Sequence, residues 1–513
     1  MRDSLKKTLE VLAFVYFVLL GVIFPLYFKN GYTSMGSVKF RFFEYAGTVL
    51  CVMLFFCLLY LLCSRHLTAA LSVTDWFVLA YGVVVCLSTI SSEFGPDSYY
   101  GSALWGSKGW NMGFVTQMLL VLIYFMLSRF FLWEKLGIHL LLGVSGVVFV
   151  LGSCNRFGFY PIPMESAGPG FISTLGNINW YCGYFAVVFA LGYGLYLEAA
   201  TKRRKRFYGV YLFIGFMTGI TQGSDSGYLV VLVLFVTGCF WCFRGSHGVK
   251  RWLETVLLFF AAASCTWCFR VLFPDSLTYE TPLINLLTGS CLPLVGLLST
   301  LLLSWLVSFV DKKWNPPDRL WTILRFLVPG LAIAAVAGYI ALVFVNTKHP
   351  LWTVPLNGNP TFTFNSDYLN GRGTTWHAGL AMFLEFPLWK RLVGVGPDCF
   401  ASYAYTSYQG VWELEEQFGE LILTNAHNEA LTLLVNVGLW GLTAFMGAFF
   451  SQLRRAFSAA RNNTLLLATA LSLACYLAHN TVSFAQVINT PTAFLVLGLA
   501  EGMLRRIKRS DHE

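Results

Sequence analysis

The chain has 513 residues, 56% of them apolar, with 35 basic and 26 acidic side chains. Its charged fraction is 12%, against about 25% in an average soluble domain, which excludes a water-soluble globule. The formal charge of +9 would suit nucleic acid or an acidic partner, but most cations fall in short loops between apolar runs, so the charge reads as a membrane-topology signal.

In chain order, apolar runs of spanning length predict fourteen helices near 9–28, 42–63, 75–91, 110–132, 136–152, 180–197, 207–222, 226–243, 252–273, 286–310, 320–345, 430–450, 464–484 and 488–504. A spread of 12–14 covers the expected error. Lys6 and Lys7 before the first run imitate a signal peptide, yet no small-residue cleavage site follows, so a retained first span is expected. With the N-terminus cytoplasmic, the inner loops hold 24 Lys and Arg, among them Arg65, residues 202–206, Lys312, Lys313, Arg454 and Arg455, against 9 in the outer loops. The positive-inside rule is met without inverting a segment, and both termini are expected inside. Most of the thirteen cysteines lie inside apolar runs and read as small apolar residues. Cys239/Cys242 and Cys265/Cys268 lack the context of a redox or zinc site, so no metal and no cofactor is expected.

Three regions result: a membrane bundle of about eleven helices over 1–345, an external loop over 346–429, and C-terminal membrane helices with a basic tail over 430–513. The loop is too long to be a plain connection. It carries Trp352, Trp376, Trp389 and Trp412, a helix-like stretch over 374–386 and a Pro-Gly-rich turn over 393–397. Trp376, Leu380, Phe383 and Leu384 form an apolar stripe that suits a helix lying at the membrane surface or packed on the bundle. Residues 346–428 hold four cations against seven acids, a net −3, which rules out a trap for nucleic acid.

The candidate chemistry gathers at outer helix ends. His427 is a candidate general base, since imidazole titrates near neutral pH, with Asn428 or Glu429 available to orient it. Its bland alternative is a helix cap. Arg372, between Gly371 and Gly373, suits a phosphate gripped by two parallel hydrogen bonds, with a loop salt bridge as the alternative. Lys108 and Arg156 are the only cations of their outer loops and are candidates to neutralise a diphosphate. Asn177 and Asn179, and the pair His479-Asn480, are further polar groups on that side; an interhelical hydrogen bond accounts for the pair equally well. No D-x-D, P-loop, H-E-x-x-H or G-x-S-x-G motif occurs, which disfavours nucleotide-driven transport and metalloproteolysis.

Arg372-Gly-Thr-Thr-Trp376, Val393-Gly-Val-Gly-Pro397, His427-Asn428 and Gly438-Leu-Trp-Gly441, with Tyr100-Gly101-Ser102, Lys108-Gly109 and Leu175-Gly176-Asn177-Ile178-Asn179 upstream, resemble the O-antigen ligase and Wzy polymerase family. The resemblance covers about residues 95–450. It implies an all-α polytopic protein of GT-C-like fold in the bacterial cytoplasmic membrane, its large loop extracytoplasmic. The implied activity is metal-independent glycosyl transfer from an undecaprenyl-diphosphate-linked glycan to a glycan or lipid acceptor. It implies His427 as the group activating the acceptor and Arg372 as a holder of the donor diphosphate. Ser224-Asp225-Ser226 departs from the pattern, standing where many members have an arginine, so Lys108 or Arg156 would supply the second cation. The alternative class is a lipid-oligosaccharide flippase or other transporter, which would carry cations along a central cavity and show two related halves.

Overall fold

A computed structural model describes residues 2–63, 71–314, 316–352, 356 and 358–510. The long helices follow the apolar runs. The first, α1 (Arg2–Val18), passes through a π turn at Leu19–Ile23 into α2 (Phe24–Leu26). Then come α3 (Met35–Cys63), α4 (Val73–Ile90), α5 (Phe114–Phe130) and α6 (Glu134–Arg156). After a two-stranded ribbon, β1 (Phe171–Ile172) and β2 (Gly176–Asn177), follow α7 (Ile178–Leu197), α8 (Lys202–Gln222), α9 (Asp225–Cys242) and α10 (Ser246–Leu272). The short α11 (Pro282–Thr288) precedes α12 (Leu292–Trp314) and α13 (Asp318–Lys348). The region between α13 and the last three long helices holds α14 (Tyr368–Glu385), α15 (Leu388–Val393), α16 (Phe400–Thr406) and α17 (Val411–Phe418). The chain closes with α18 (Glu429–Ala459), α19 (Thr464–His479) and α20 (Thr490–Ser510).

Every predicted run corresponds to a helix. Among the described residues ten helical stretches are long and apolar enough to cross a membrane, and α5 and α19 are shorter apolar helices. The remaining two long helices, α8 and α20, carry basic ends, residues 202–206 and Arg505, Arg506 and Lys508. Some boundaries differ. The run expected over 286–310 divides into α11 and α12 around residues 289–291, and the run over 464–484 stops at His479. Arg65 of the positive-inside tally lies outside the described residues.

The bundle is built round α7, whose residues from Tyr181 to Leu197 are all buried. Glycines let its neighbours approach: a Cβ at Gly192 would enter the ring of Tyr211, and one at Gly194 would meet the backbone of Ala468 on α19. By contrast α12 and α13 face outward along most of their length, with Leu298, Leu302, Ile333 and Ile340 exposed. In a helix this apolar, exposure without polar faces fits contact with lipid rather than water.

The basic loops meet at one end. Asp75, fully buried, forms the Ser72 capping box of α4, accepts the Tyr124 hydroxyl at 2.7 Å, and pairs with Arg129 at 2.8 Å and with Arg505. Glu501, also fully buried, pairs with Arg455 at 2.6 Å and with Arg505 at 2.9 Å. Since α20 enters from the far side, this network locks the last helix to α4, α5 and α18.

The short helices α14 to α17 have a core of their own, made by Ala378, Met382, Phe386, Val395, Phe400, Ala404, Leu414, Leu423 and Ala426. The buried stripe of α14 is therefore Thr375, Ala378, Met382 and, just beyond the helix, Phe386. Leu380 and Leu384 of the expected stripe point outward, 46% and 56% exposed. The register differs because the packed face is chosen by the short helices that cover α14, not by hydropathy alone.

A broken helix seats this domain on the bundle. At Gly438 the backbone of α18 leaves the helical region, at φ 68° and ψ −172°. The freed carbonyl of Val435 accepts the Val395 N–H at 3.1 Å, and that of Asn436 accepts the Gly396 N–H at 3.0 Å and the Ser88 hydroxyl at 2.9 Å. The 393–397 turn thus satisfies carbonyls that lipid could not. A Cβ at Gly438 would strike the carbonyl of Leu392, and one at Gly394 that of Asn436, so both glycines are required by close approach.

Candidate active site

Three left-handed residues, Leu369, Asn370 and Gly371, turn the chain into α14 and present Arg372. Gly373 serves a different purpose from the one its sequence suggests: a Cβ there would collide with the carbonyl of Asn365, so the close approach is to the protein's own loop. Thr375, one turn on, donates to the carbonyl of Ala426 at 2.9 Å and of Arg372 at 3.1 Å, tying α14 to the segment that carries His427.

His427 itself lies at φ +48°, an uncommon conformation for a residue with a side chain. Its N–H donates to Asn425 Oδ1 at 3.0 Å, and its ring meets Phe484 edge to face at 5.1 Å. Asn428 and Glu429 do not orient the imidazole. Asn428 caps α18, accepting the Leu431 N–H at 3.2 Å and donating to Thr481 at 3.0 Å. Glu429 turns toward the 480–485 segment, accepting the Ala485 N–H at 2.7 Å. Both are drawn off by backbone donors and acceptors of the turn after α19, whose position is invisible in local sequence.

Arg372 and His427 line one cavity of about 260 Å³, with Asn179, Ser224, Asp225, Tyr279, Thr375 and Phe418. Two long helices begin at its wall. One is α7, capped by the Asn177 side chain, which accepts the Asn179 N–H at 2.8 Å; the other is α9, which starts at Asp225. Helix N-termini carry partial positive charge, which adds to that of Arg372 and opposes the Asp225 carboxylate in the same wall. Arg372 donates to the Leu369 carbonyl at 3.0 Å and approaches Asp225 at 3.7 Å, while its buried Nε has no partner. Burial lowers its pKa, with Asp225 pulling the other way. Burial first, and the Arg372 guanidinium second, hold the His427 imidazole down at about 4.

The other candidates sit elsewhere. Lys108 is exposed and does not line the cavity. Arg156 is fully buried one layer behind it, donating to Gln222 Oε1 at 3.0 Å and to the Gln222 and Pro169 carbonyls, and lying over the Tyr279 ring at 4.6 Å. It braces the α8–α9 turn and one wall residue rather than facing the cavity. His479 is fully buried near Gly183 at the end of α19, with neither ring nitrogen bonded. The cavity therefore joins Arg372, His427 and Asn179, and among the described residues no second cation lines it. Asp225 occupies the turn position where the resemblance leads one to look for that cation.

Asp398 was not singled out by its sequence. Next to the 393–397 turn, its Oδ2 accepts the N–H groups of Ser107 and Met112, both at 2.8 Å, and its carbonyl accepts the Ser107 hydroxyl at 3.0 Å. It pins the loop that carries Lys108 to the α14–α17 segment; burial pushes its carboxyl up to about 7. The one sequence signal is its adjacency to the Gly-Pro turn.

The chain matches no curated protein. Residues 282–446, which include Arg372, the 393–397 turn, His427 and the Gly438 kink, match the family model described as O-antigen ligase.

Proposed function

We propose that this membrane protein of O-antigen ligase or polymerase type transfers a glycan from an undecaprenyl-diphosphate-linked donor to an acceptor hydroxyl at the outer face of the cytoplasmic membrane. The observation that carries the reading is the single cavity shared by Arg372, with its unpartnered Nε, and His427. The cavity lies at the end of the bundle away from the Asp75–Arg505 network, in keeping with fourteen spans and both termini inside. In this scheme the donor diphosphate lies against Arg372 and the N-termini of α7 and α9. His427 takes the proton of the acceptor hydroxyl, the acceptor oxygen bonds the anomeric carbon, and the bond from that carbon to the lipid diphosphate breaks. The leaving group departs with its electron pair as a lipid diphosphate, so no energy source beyond the donor is needed. Positioning and charge neutralisation supply the rate.

Base strength is coupled to donor occupancy. With the cavity empty, Arg372 helps keep His427 at a low pKa; a diphosphate beside Arg372 offsets that charge and raises the basicity of the imidazole when the acceptor needs it.

The test is reconstitution in liposomes with an undecaprenyl diphosphate oligosaccharide and a candidate acceptor. Lengthened glycan, or glycan moved to the acceptor, is expected, and movement of intact donor across the bilayer without transfer would refute it. His427→Ala is expected to lower transfer by about 10²–10⁴-fold, the usual contribution of a general base. Full activity in that variant would remove His427 from the chemistry.

A further inference from the structure

The end of the bundle that carries the Asp75–Arg505 network holds three further arginines outside that network. Two of them lie on aromatic rings of the last turn of α9: Arg325 of α13 over Phe240 at 4.3 Å, and Arg244 over Trp241 at 4.3 Å. Trp241 also meets Phe457 of α18 edge to face at 5.7 Å, and Arg461 follows Phe457 just past the end of that helix. Three elements thus bring three cations to one place. Burial first, then the charges of Arg325 and Arg461, lower the pKa of Arg244, with Glu198 opposing; guanidinium nevertheless stays charged at neutral pH. Among the described residues no carboxylate pairs with any of the three. Glu198 accepts the Trp241 indole N–H, Asp311 pairs with Lys250 at 3.2 Å, and Asp318 lies beside Gly245 without bridging to them. Arg325 Nε donates to the Phe240 carbonyl, but the buried Nε of Arg244 has no hydrogen-bond partner.

A buried donor without an acceptor, among three like charges without a counter-ion, is answered by an anion with several oxygens. Phosphate is such an anion, and guanidinium grips it through parallel hydrogen bonds. The surroundings select its source. Thr322, Ile323, Phe326, Leu327, Gly330 and Leu331 line a mostly apolar hollow on the outward face of α13, beside Arg325. Ile323 and Phe326 are 60% and 58% exposed there, so the hollow faces lipid. The arginines therefore stand at the border between lipid-facing helix and polar helix ends, the level of phospholipid phosphates, where basic pockets between helices hold anionic headgroups. We propose that Arg244, Arg325 and Arg461 bind the phosphate of an anionic phospholipid whose acyl chain lies in the hollow of α13.

The lipid ties α13, which packs on α9 and otherwise faces outward, to the end of α9 and to the α18–α19 loop. Since α9 begins at Asp225, in the wall of the Arg372 cavity, the lipid steadies the far end of a helix that builds that cavity.

The test is thermal unfolding of the purified, delipidated full chain in uncharged detergent, at one ionic strength, with added phosphatidylglycerol, phosphatidylcholine or inorganic phosphate. A melting midpoint several degrees higher with phosphatidylglycerol is expected, with neither phosphatidylcholine nor inorganic phosphate reproducing the rise. Arg244→Gln and Arg461→Gln are each expected to lose most of that rise, whereas removing a merely structural arginine lowers the midpoint in every condition and leaves the rise intact. Arg203→Gln, at an exposed cation where α8 begins at the same end, is expected to keep the full rise, which separates the site from a general attraction of basic loops to acidic lipid. If Arg244→Gln does not fold, the exposed Arg461 carries the comparison alone. An equal rise with phosphatidylcholine or with inorganic phosphate, no rise in any condition, a phosphatidylglycerol response that survives in Arg461→Gln, or one lost equally in Arg203→Gln would each overturn the proposal.

Discussion

His427 reaches the cavity through a left-handed backbone position, an Asn425 side chain and the edge of Phe484. None of these supplies a negative partner, so its imidazole is kept neutral by burial and by the charge of Arg372. The acid limb of the transfer rate for free enzyme is therefore expected near pH 4, well below the 6.5 of an unperturbed imidazole. Because Arg372 is one of the depressing causes, Arg372→Gln is expected to move that limb upward while weakening donor binding, which a pH series of kcat/KM checks; an unmoved limb would argue against their electrostatic contact. The stability link has the same sign. The folded value lies below the unfolded one, so the stability contributed by neutral His427 is full above pH 6.5 and is lost as pH falls from there toward 4. Motif resemblance was enough to single out His427 and Arg372. The local sequence offered Asn428 or Glu429 to orient the imidazole, whereas both are bound by the turn after α19, more than fifty residues away in sequence.

At the scale of elements, the joint between the Gly438 kink of α18 and the 393–397 turn seats the α14–α17 segment on the bundle. Gly438→Ala puts a side chain at a φ/ψ pair that only glycine adopts freely, a strain of about 1–3 kcal/mol, before the overlap with Leu392 is counted. A lower melting midpoint together with lost transfer is expected, whereas Gly143→Ala in α6, where a Cβ meets open space, is expected to leave both unchanged. Both joint partners are visible in sequence as Gly-rich motifs, but their pairing is not. It exists to satisfy backbone carbonyls that a glycine kink exposes, and hydropathy carries no record of which N–H groups are free to do so. The same limit explains α14, whose existence was evident and whose buried face was partly misassigned.

Across the whole molecule, the basic network and the candidate site occupy opposite ends of the bundle, which separates stability from chemistry. Asp75→Asn leaves Arg129 and Arg505 without their shared buried acid, a change that costs about 3–5 kcal/mol when one partner of such a pair is removed. A marked fall in the melting midpoint is expected, with affinity for the lipid-linked donor in the folded fraction unaltered, measured by binding at a temperature where the variant remains folded. Helix positions and the membrane class were readable from the chain, because each depends on local hydropathy, which any twenty-residue window reports. The partners of the polar groups depend on which distant segments meet. Asp225 beside Arg372 and Arg156 turned inward onto Gln222 are contacts between residues nearly 150 apart in one case and more than 60 in the other. The hydropathy pattern sets such polar groups at helix ends; only packing, through the cost of leaving a buried donor, acceptor or charge unmatched, selects which of them face each other.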